Sequence, residues 1–419
     1  MDISITPAAL TGTVEAVESK SDAHRLLICA ALSDKPTEIT IKNICRDIAA
    51  TMDCLTAMGC KIKTLRNTVT VNPLWQTLTH TPLLDCGESG STLRFLLPVA
   101  AVLYDKFNIT GSGRLPERPL SAIIEAMQAN GCTFSGEMLP LQVEGKLSSG
   151  RYELPGNVSS QFVSGLLFAL PLLQGTSEIV LTSPLESSGY VDMTLSTLTK
   201  FGLSIICEKD SFIIPGGQKY SSPGSALVEG DWSNSAFWLA TGAINGQIAC
   251  TGLDADSLQC DRRMLNILKQ MGSDATFENG TAFAGRKELH AISLDVGEIP
   301  DLVPVLAGVA AVAKGISLLR NAGRVRLKES DRLHAIAQSL NAIGADVQEL
   351  EDSLVIRGKE QLAGGTVHGC NDHRIVMALA AVAGACKEPI IIQGAEAVEK
   401  SYPDFFRDYN KLGGLANVI

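Results

Sequence analysis

The chain has 419 residues, 45% of them apolar and only 5% aromatic, with a formal net charge of −10. That length exceeds what one core usually supports, so two domains are expected. The acidic balance excludes a general nucleic-acid surface, and any anionic ligand must be held by a local basic pocket. Ala, Leu, Val, Ile and Gly dominate, which suits α/β architecture with close helix–strand packing. The eleven Cys are scattered, odd in number and without a C-x-x-C pair, as expected of reduced thiols in a cytoplasmic protein. The N-terminus MDISITPAAL has neither the basic nor the apolar region of a signal peptide, and apolar runs such as 375–386 are too short to span a bilayer. A cytoplasmic location without membrane contact is therefore expected.

In chain order, a strand near residues 3–15 comes first and is expected to pair with the C-terminal half. Amphipathic helical segments then recur. Each ends in Gly and runs into a strand-like segment: LTAMGCKIK, AMQANGCTF, LSTLTKFGLSI, ILKQMGSDATF, SLNAIGADV and YNKLGGL, the last without a clear following strand. Their glycines, Gly59, Gly131, Gly202, Gly272, Gly344 and Gly413, lie 72, 71, 70, 72 and 69 residues apart. Near-constant spacing marks a repeated unit. Each Gly fits the position just past a helix, where a positive φ turns the chain into a strand. Each unit also holds a second helix, apolar nearly all round and hence buried. These begin near Ser21, Ser89, Ser160, Ser233, Asp301 and Asp372. Six units predict two domains of three, with a Ser/Gly/Pro-rich linker over residues 221–231.

Charge crowds the starts of the buried helices. Lys20, Ser21 and Arg25 open the first, and Gly87, Glu88, Ser89, Gly90, Ser91 and Arg94 the second. Ser159, Ser160 and Gln161 open the third, Asp231 and Ser233 the fourth, Pro300 and Asp301 the fifth, and Asp372, His373 and Arg374 the sixth. Capping explains one Ser or Asp per helix. It does not explain Lys20, Arg25, Arg94 and Arg374, because a cation opposes the dipole at a helix N-terminus unless an anion lies between them. Several such termini on one cleft would hold a polyanionic ligand. The GSGRLPERP loop adds Arg114 and Arg118. Residues 326–332 place Arg326, Lys328, Glu329, Asp331 and Arg332 ahead of an amphipathic helix for which Ser330 is the expected N-cap. Lys400, in a turn closed by Pro403, reads as a surface residue. The histidines and thiols form no metal-ligand spacing, and neither a Walker A motif nor a dinucleotide fingerprint occurs, so no metal and no cofactor are expected.

Eight stretches occur in one order: SKSDAHR (19–25), GESGSTLR (87–94), RLPERP (114–119), SSQ (159–161), IPD (299–301), RLKESDR (326–332), NDHR (371–374) and EKSYPDFF (399–406). Together they closely resemble the 5-enolpyruvylshikimate-3-phosphate synthase family from about residue 5 to the end. The resemblance implies a two-domain enolpyruvyl transferase fold, an inside-out α/β barrel of six βαβαββ units. One domain would comprise residues 1–17 and 230–419 and the other 18–229, with the active site in the interdomain cleft. It implies transfer of the enolpyruvyl group of phosphoenolpyruvate to the 5-hydroxyl of shikimate 3-phosphate, through a tetrahedral intermediate and with release of phosphate. A monomer is expected, and with Lys20, Arg118 and Ser159 in one half of the chain and Asp301, Glu329 and Arg374 in the other, so is closure on the substrates.

By the same resemblance, Lys20, Ser21, Arg25, Ser159, Ser160, Gln161, Ser187, Tyr190, Asp301 and Lys328 would bind shikimate 3-phosphate. Lys20, Gly90, Arg118, Gln161, Arg332, Arg374 and Lys400 would bind phosphoenolpyruvate. Asp301 would be the base at the hydroxyl, Glu329 the proton donor and acceptor at C3, and Lys20 would assist departure of phosphate. Gly90 leaves room beside the phosphoenolpyruvate site, so inhibition by glyphosate is expected. Four positions depart from the usual motifs: Glu18, Ala23, Glu88 and Arg324. A carboxylate at 88 must turn away from the substrate or pair with a cation such as Arg94. The sister enzymes acting on UDP-N-acetylglucosamine carry a catalytic Cys in the loop before Arg-Pro, where this chain has RLPERP. A non-catalytic anion-binding repeat scaffold would not need Lys20, Asp301, Glu329 and Arg332 together. An RNA-end-processing enzyme built on similar units is disfavoured by the acidic charge.

Overall fold

The structure, a computed structural model, describes residues 1–74 and 80–419. The chain divides into two compact units: Lys20–Val228, and Met1–Ser19 with Glu229–Ile419. Each has its own hydrophobic core. The helices in chain order are α1 (Lys20–Leu32), α2 (Arg46–Ala57), α3 (Gly90–Leu103), α4 (Ser121–Gln128), α5 (Ser160–Ala169) and α6 (Ser188–Lys200) in the first unit. The second has α7 (Trp232–Asn245), α8 (Arg263–Gln270), α9 (Val303–Ala310), α10 (Arg332–Ala342), α11 (His373–Val382) and α12 (Phe405–Lys411). Odd-numbered helices are buried almost throughout, and the even-numbered ones keep an exposed face. That alternation follows from composition, since a helix apolar all round has no face to give to water.

Each unit carries three four-stranded sheets of one design. In Leu83–Asp85, Lys106–Thr110, Leu141–Glu144 and Thr133–Phe134, for example, the first pair is parallel and the other two pairs are antiparallel. The parallel pair is bridged by the buried helix α3, and α4 leads into the hairpin, which gives the βαβαββ order. The six glycines at the ends of the amphipathic helices all have positive φ, between 81° and 104°. A Cβ at Gly131 would lie 2.7 Å from the Lys146 carbonyl, so this turn needs glycine for space as well as for φ.

The N-terminal segment is two strands rather than one. Ile3–Thr6 joins the sheet of the last repeat, antiparallel to Ile390–Gln393 and Leu415–Val418. Leu10–Glu15 runs parallel to Gly246–Thr251 in a different sheet of the same unit. Leu415–Val418 is the strand after Gly413 that the sequence hides: Leu415, Asn417 and Val418 are exposed and only Ala416 is buried, so no apolar–polar alternation shows. The segment 221–231 is not a free linker. Ser225–Leu227 pairs in parallel with Thr37–Thr40, and Asp231 caps α7 by accepting from Asn234 N at 2.7 Å.

Among the described residues no helix is long and apolar enough to cross a membrane.

Candidate functional site

In the unit Lys20–Val228, functional side chains gather at the starts of buried helices. Ser89 caps α3, its Oγ accepting from Thr92 N at 3.3 Å. Gly90, the first residue of α3, lies beneath two guanidinium groups. A Cβ there would meet Arg118 Nη1 at 2.6 Å and Arg94 Nη1 at 2.7 Å. Both arginines are buried. Gln161, in the first turn of α5, joins this group: its Nε2 donates to Ser91 Oγ at 2.8 Å and its Oε1 accepts from Arg94 Nη1 at 3.2 Å. Ser159 caps α5 by accepting from Gln161 N at 3.3 Å. Glu88 extends over the Gly111–Gly113 loop, where a Cβ on Gly113 would fall 2.2 Å from its Oε2. Two cations and two helix starts thus converge, which is an anion-binding arrangement.

Lys20 and Arg25 sit on α1. Lys20 Nζ pairs with Asp47 Oδ2 on α2 at 2.7 Å. The buried Arg25 donates from Nε to Thr194 Oγ1 at 2.9 Å, from Nη1 to the Ser21 carbonyl at 2.5 Å and from Nη2 to the Tyr190 carbonyl at 2.7 Å. It therefore ties α1 to α6 as well as lying in a candidate phosphate segment. Ser187 precedes α6 with a left-handed backbone, φ 56°, and is buried. Ser160 is buried in the first turn of α5.

The other unit holds a carboxylate–guanidinium cluster. Arg332, the first residue of α10, is 1% exposed and meets three carboxylates. Its Nε lies 2.8 Å from Asp372 Oδ2, its Nη1 2.7 Å from Asp301 Oδ1 and its Nη2 2.7 Å from Glu329 Oε2. Asp301 also takes Arg374 Nη2 at 3.0 Å, with Lys328 Nζ at 3.7 Å. Burial by itself pushes the Asp301 carboxyl up. Arg374, Lys328 and Arg332 together outweigh burial and hold it well below the usual carboxylate range. Burial opposes the charge on Arg332, but Asp372, Glu329 and Asp301 prevail and strengthen its hold on the proton.

Two expectations at this cluster are corrected. The N-cap of α10 is Asp331, whose Oδ1 accepts from His334 N at 3.0 Å, and not Ser330. Ser330 Oγ instead donates to Asp372 Oδ2 at 2.9 Å, because a fully buried carboxylate needs hydrogen-bond donors. Lys400 is buried and not at the surface. Its Nζ donates to the Asn371 carbonyl at 2.5 Å, just ahead of α11. The charge run 326–332 also divides. Lys328, Glu329 and Arg332 face the cluster, whereas Arg326 pairs with Asp331 and Glu349 on the partly exposed side. Arg324 Nη2 donates to the Gly297 carbonyl at 2.7 Å.

Asp47, against Lys20, and Asp261, beside Asp301 and Arg374, join these clusters although the sequence marks neither, because each reads as an ordinary acidic residue at a helix start. Asp261 is fully buried and accepts a short hydrogen bond from Ser233. Burial and the neighbouring Asp301 push its carboxyl up to about 6, with Arg374 and the Ser233 bond opposing. A raised carboxyl pKa means that the folded state holds the proton more tightly than the unfolded chain. Its stabilising effect is present in acid and is lost as pH rises through about 6. Asp261→Asn is therefore expected to gain about 1 kcal/mol relative to wild type between pH 5 and pH 7. Denaturant melts at the two pH values check this, and a constant difference would contradict it.

Among the described residues no group of His, Cys, Asp and Glu could hold a metal ion.

Comparison with known proteins places the chain in a family. The family model for EPSP synthase (3-phosphoshikimate 1-carboxyvinyltransferase) matches residues 5–409. A 3-phosphoshikimate 1-carboxyvinyltransferase of Clostridium kluyveri is 47% identical over 418 residues, covering 98% of this chain and 97% of that protein. The enzyme of the same name from Clostridium acetobutylicum is 44% identical over 421 residues, covering 98% and 97%. Among solved structures, an EPSP synthase from Acinetobacter baumannii superposes with a TM-score of 0.83 at 27% identity, covering all of both chains. The enolpyruvyl transferase NikO from Streptomyces tendae shares the fold, with a TM-score of 0.81 at 18% identity over 99% of this chain and 98% of that one.

Proposed function

The chain belongs to the EPSP synthase family, and on that premise we propose how its side chains divide the work of the reaction. The reaction transfers the enolpyruvyl group of phosphoenolpyruvate to shikimate 3-phosphate in the shikimate pathway and makes the chain a transferase. The observation that carries the division is the placement of the cations. Arg332, Arg374 and Lys328 lie against Asp301, with Arg332 also against Glu329 and Asp372, so this cluster combines carboxylates that can move protons with cations that can bind an anion. Arg94 and Arg118 lie over Gly90 at the start of α3. Guanidinium groups at a helix start are the arrangement that an anionic substrate requires.

Ser21, Arg25, Ser159, Ser160, Gln161, Ser187, Tyr190 and Lys328 hold shikimate 3-phosphate. Lys20, Gly90, Arg118, Gln161, Arg332, Arg374 and Lys400 hold phosphoenolpyruvate. Asp301 takes the proton of the 5-hydroxyl as its oxygen bonds to C2, and Glu329 delivers a proton to C3. Glu329 then removes a proton from the new methyl group while the C2–O bond to phosphate breaks, and Lys20 meets the departing charge. Asp301 is a weak base while three cations surround it. An anionic substrate that takes over Arg374 and Arg332 withdraws those charges from Asp301 and raises its basicity as the reaction begins. The enzyme acts in the cytoplasm as a monomer.

Glyphosate tests this reading at Gly90. It is expected to inhibit in competition with phosphoenolpyruvate. In Gly90→Ala the new Cβ must push aside the ends of Arg118 and Arg94, which would lie 2.6 and 2.7 Å from it. The variant should need roughly tenfold more phosphoenolpyruvate for half-maximal rate and resist glyphosate by at least as much. Rates that high millimolar glyphosate leaves unchanged in the wild-type enzyme would refute the placement.

A further inference from the structure

One buried histidine in the unit Lys20–Val228 takes no part in the chemistry above. His24 lies on α1, wholly buried, one residue before Arg25. Its Nδ1 is 2.7 Å from Thr51 Oγ1 on α2, and Thr51 Oγ1 is 2.6 Å from Thr92 Oγ1 on α3. Thr92 Oγ1 donates to Ser89 Oγ at 2.8 Å, the same oxygen that accepts from Thr92 N to cap α3. Three helices are thus joined by one line of four side chains. Asp47, one turn before Thr51 on the same face of α2, holds Lys20. Helix α2 therefore acts as a strut between the start of α1 and the start of α3.

The line has a direction, because each hydroxyl carries one proton. Thr92 gives its proton to Ser89. Thr51 must then give its own to Thr92, which leaves Thr51 to accept from His24. His24 must carry its proton on Nδ1. Its Nε2 is buried without a hydrogen-bond partner, and the edge of the ring faces Phe95, with centroids 6.4 Å apart and planes at 82°. A second proton on Nε2 would be a buried donor with no acceptor, so the ring is neutral. Burial, reinforced by the charges of Lys20 and Arg25, depresses its titration well below the usual imidazole range.

We propose that His24 is a positioning residue that acts through Thr51 and Thr92 to set the first turn of α3, and with it Gly90, against the start of α1. The relay couples the segment assigned to shikimate 3-phosphate, Ser21 and Arg25, to the one assigned to phosphoenolpyruvate, Gly90 and Arg118. It rests on the residue assignment proposed above. A wedge of plain core packing in place of His24 would support the fold. It would not fix the Ser89 hydroxyl, and the helix start would lose its register with the opposing arginines.

Two measurements test this. Nitrogen-15 NMR of the wild-type ring should show His24 protonated on Nδ1 and unchanged between pH 6 and pH 8. Protonation on Nε2, or titration in that range, would overturn the relay. In kinetics, His24→Leu and Thr51→Val should each raise the KM for phosphoenolpyruvate roughly fivefold, as expected for one lost hydrogen bond, with kcat changed less than about twofold. His24→Asn, whose amide nitrogen falls near the position of Nδ1, should restore that KM to within about twofold of wild type. A melting temperature that falls while KM stays unchanged would show a purely structural role and sink the proposal. Should His24→Leu fail to fold, Thr51→Val, close to isosteric with threonine, carries the same kinetic test. Failure of the wild-type enzyme to turn over shikimate 3-phosphate would instead sink the reading of the reaction, and the NMR result does not depend on that.

Discussion

Asp301→Asn and Glu329→Gln are each expected to lower turnover by about 10²–10⁴-fold, the range in which a positioned acid or base contributes to a proton transfer. Both substitutions keep the shape of the side chain and remove only its capacity to carry a proton. The two should differ in which exchange they abolish. In D₂O the wild-type enzyme should place deuterium at C3 of the enolpyruvyl group, because the methyl formed in the tetrahedral intermediate loses any of its hydrogens. Glu329→Gln should lose that labelling together with turnover. Asp301→Asn should slow formation of the intermediate, while a synthetic intermediate supplied from outside should still lose a methyl proton and phosphate to give product. Near-normal turnover in both variants would show that the roles are misassigned. The neutral amide at 301 also withdraws a partner from Arg374 and Arg332, which meet that carboxylate at 3.0 and 2.7 Å. Part of the effect should therefore appear in the KM for phosphoenolpyruvate, and the kcat loss is the cleaner measure of base catalysis.

Arg332→Met is expected to be the most destabilising substitution in the cluster, costing about 3–5 kcal/mol. Arg332 is 1% exposed and Asp372 is fully buried, so removing the guanidinium leaves a buried carboxylate without its main partner. Ser330 Oγ and Arg374 N still donate to Asp372, at 2.9 Å each, but neither brings a charge. A chemical denaturation midpoint measures the loss. Arg332→Met combined with Asp372→Leu should recover part of it, because the pair is removed as a whole. A loss below about 1 kcal/mol in the single variant would mean that the cluster is far more hydrated than its burial indicates.

The repeat was legible in the sequence because its marker is conformational. Gly59, Gly131, Gly202, Gly272, Gly344 and Gly413 all occupy positive φ, which a side chain resists, so the pattern survives while the residues around it vary. The helix caps were legible for a related reason, and Ser89, Ser159, Asp231 and Asp372 each accept from a backbone N–H at the start of their own helix. Partnerships across repeats were not legible. Lys20 pairs with Asp47 on the next helix, and Arg332 pairs with Asp372 forty residues later. No local pattern marks such pairs, since each residue taken alone reads as a helix-end charge. The same reason hid Asp261, whose burial follows from its place behind Asp301 and Arg374 rather than from its neighbours in LQCDRRML. Lys400 misled because a lone lysine in a turn is usually solvated, and only the Asn371 carbonyl ahead of α11 gives it a buried acceptor. The N-terminal strands were located in the right unit but merged into one, since the Pro7–Ala9 break between them is too short to register as a loop.

Release of inorganic phosphate from phosphoenolpyruvate tests the central claim most directly, measured with shikimate 3-phosphate, without it, and with UDP-N-acetylglucosamine in its place. Release only with shikimate 3-phosphate is the predicted result. Release only with the nucleotide sugar, or no release with either acceptor, would contradict it.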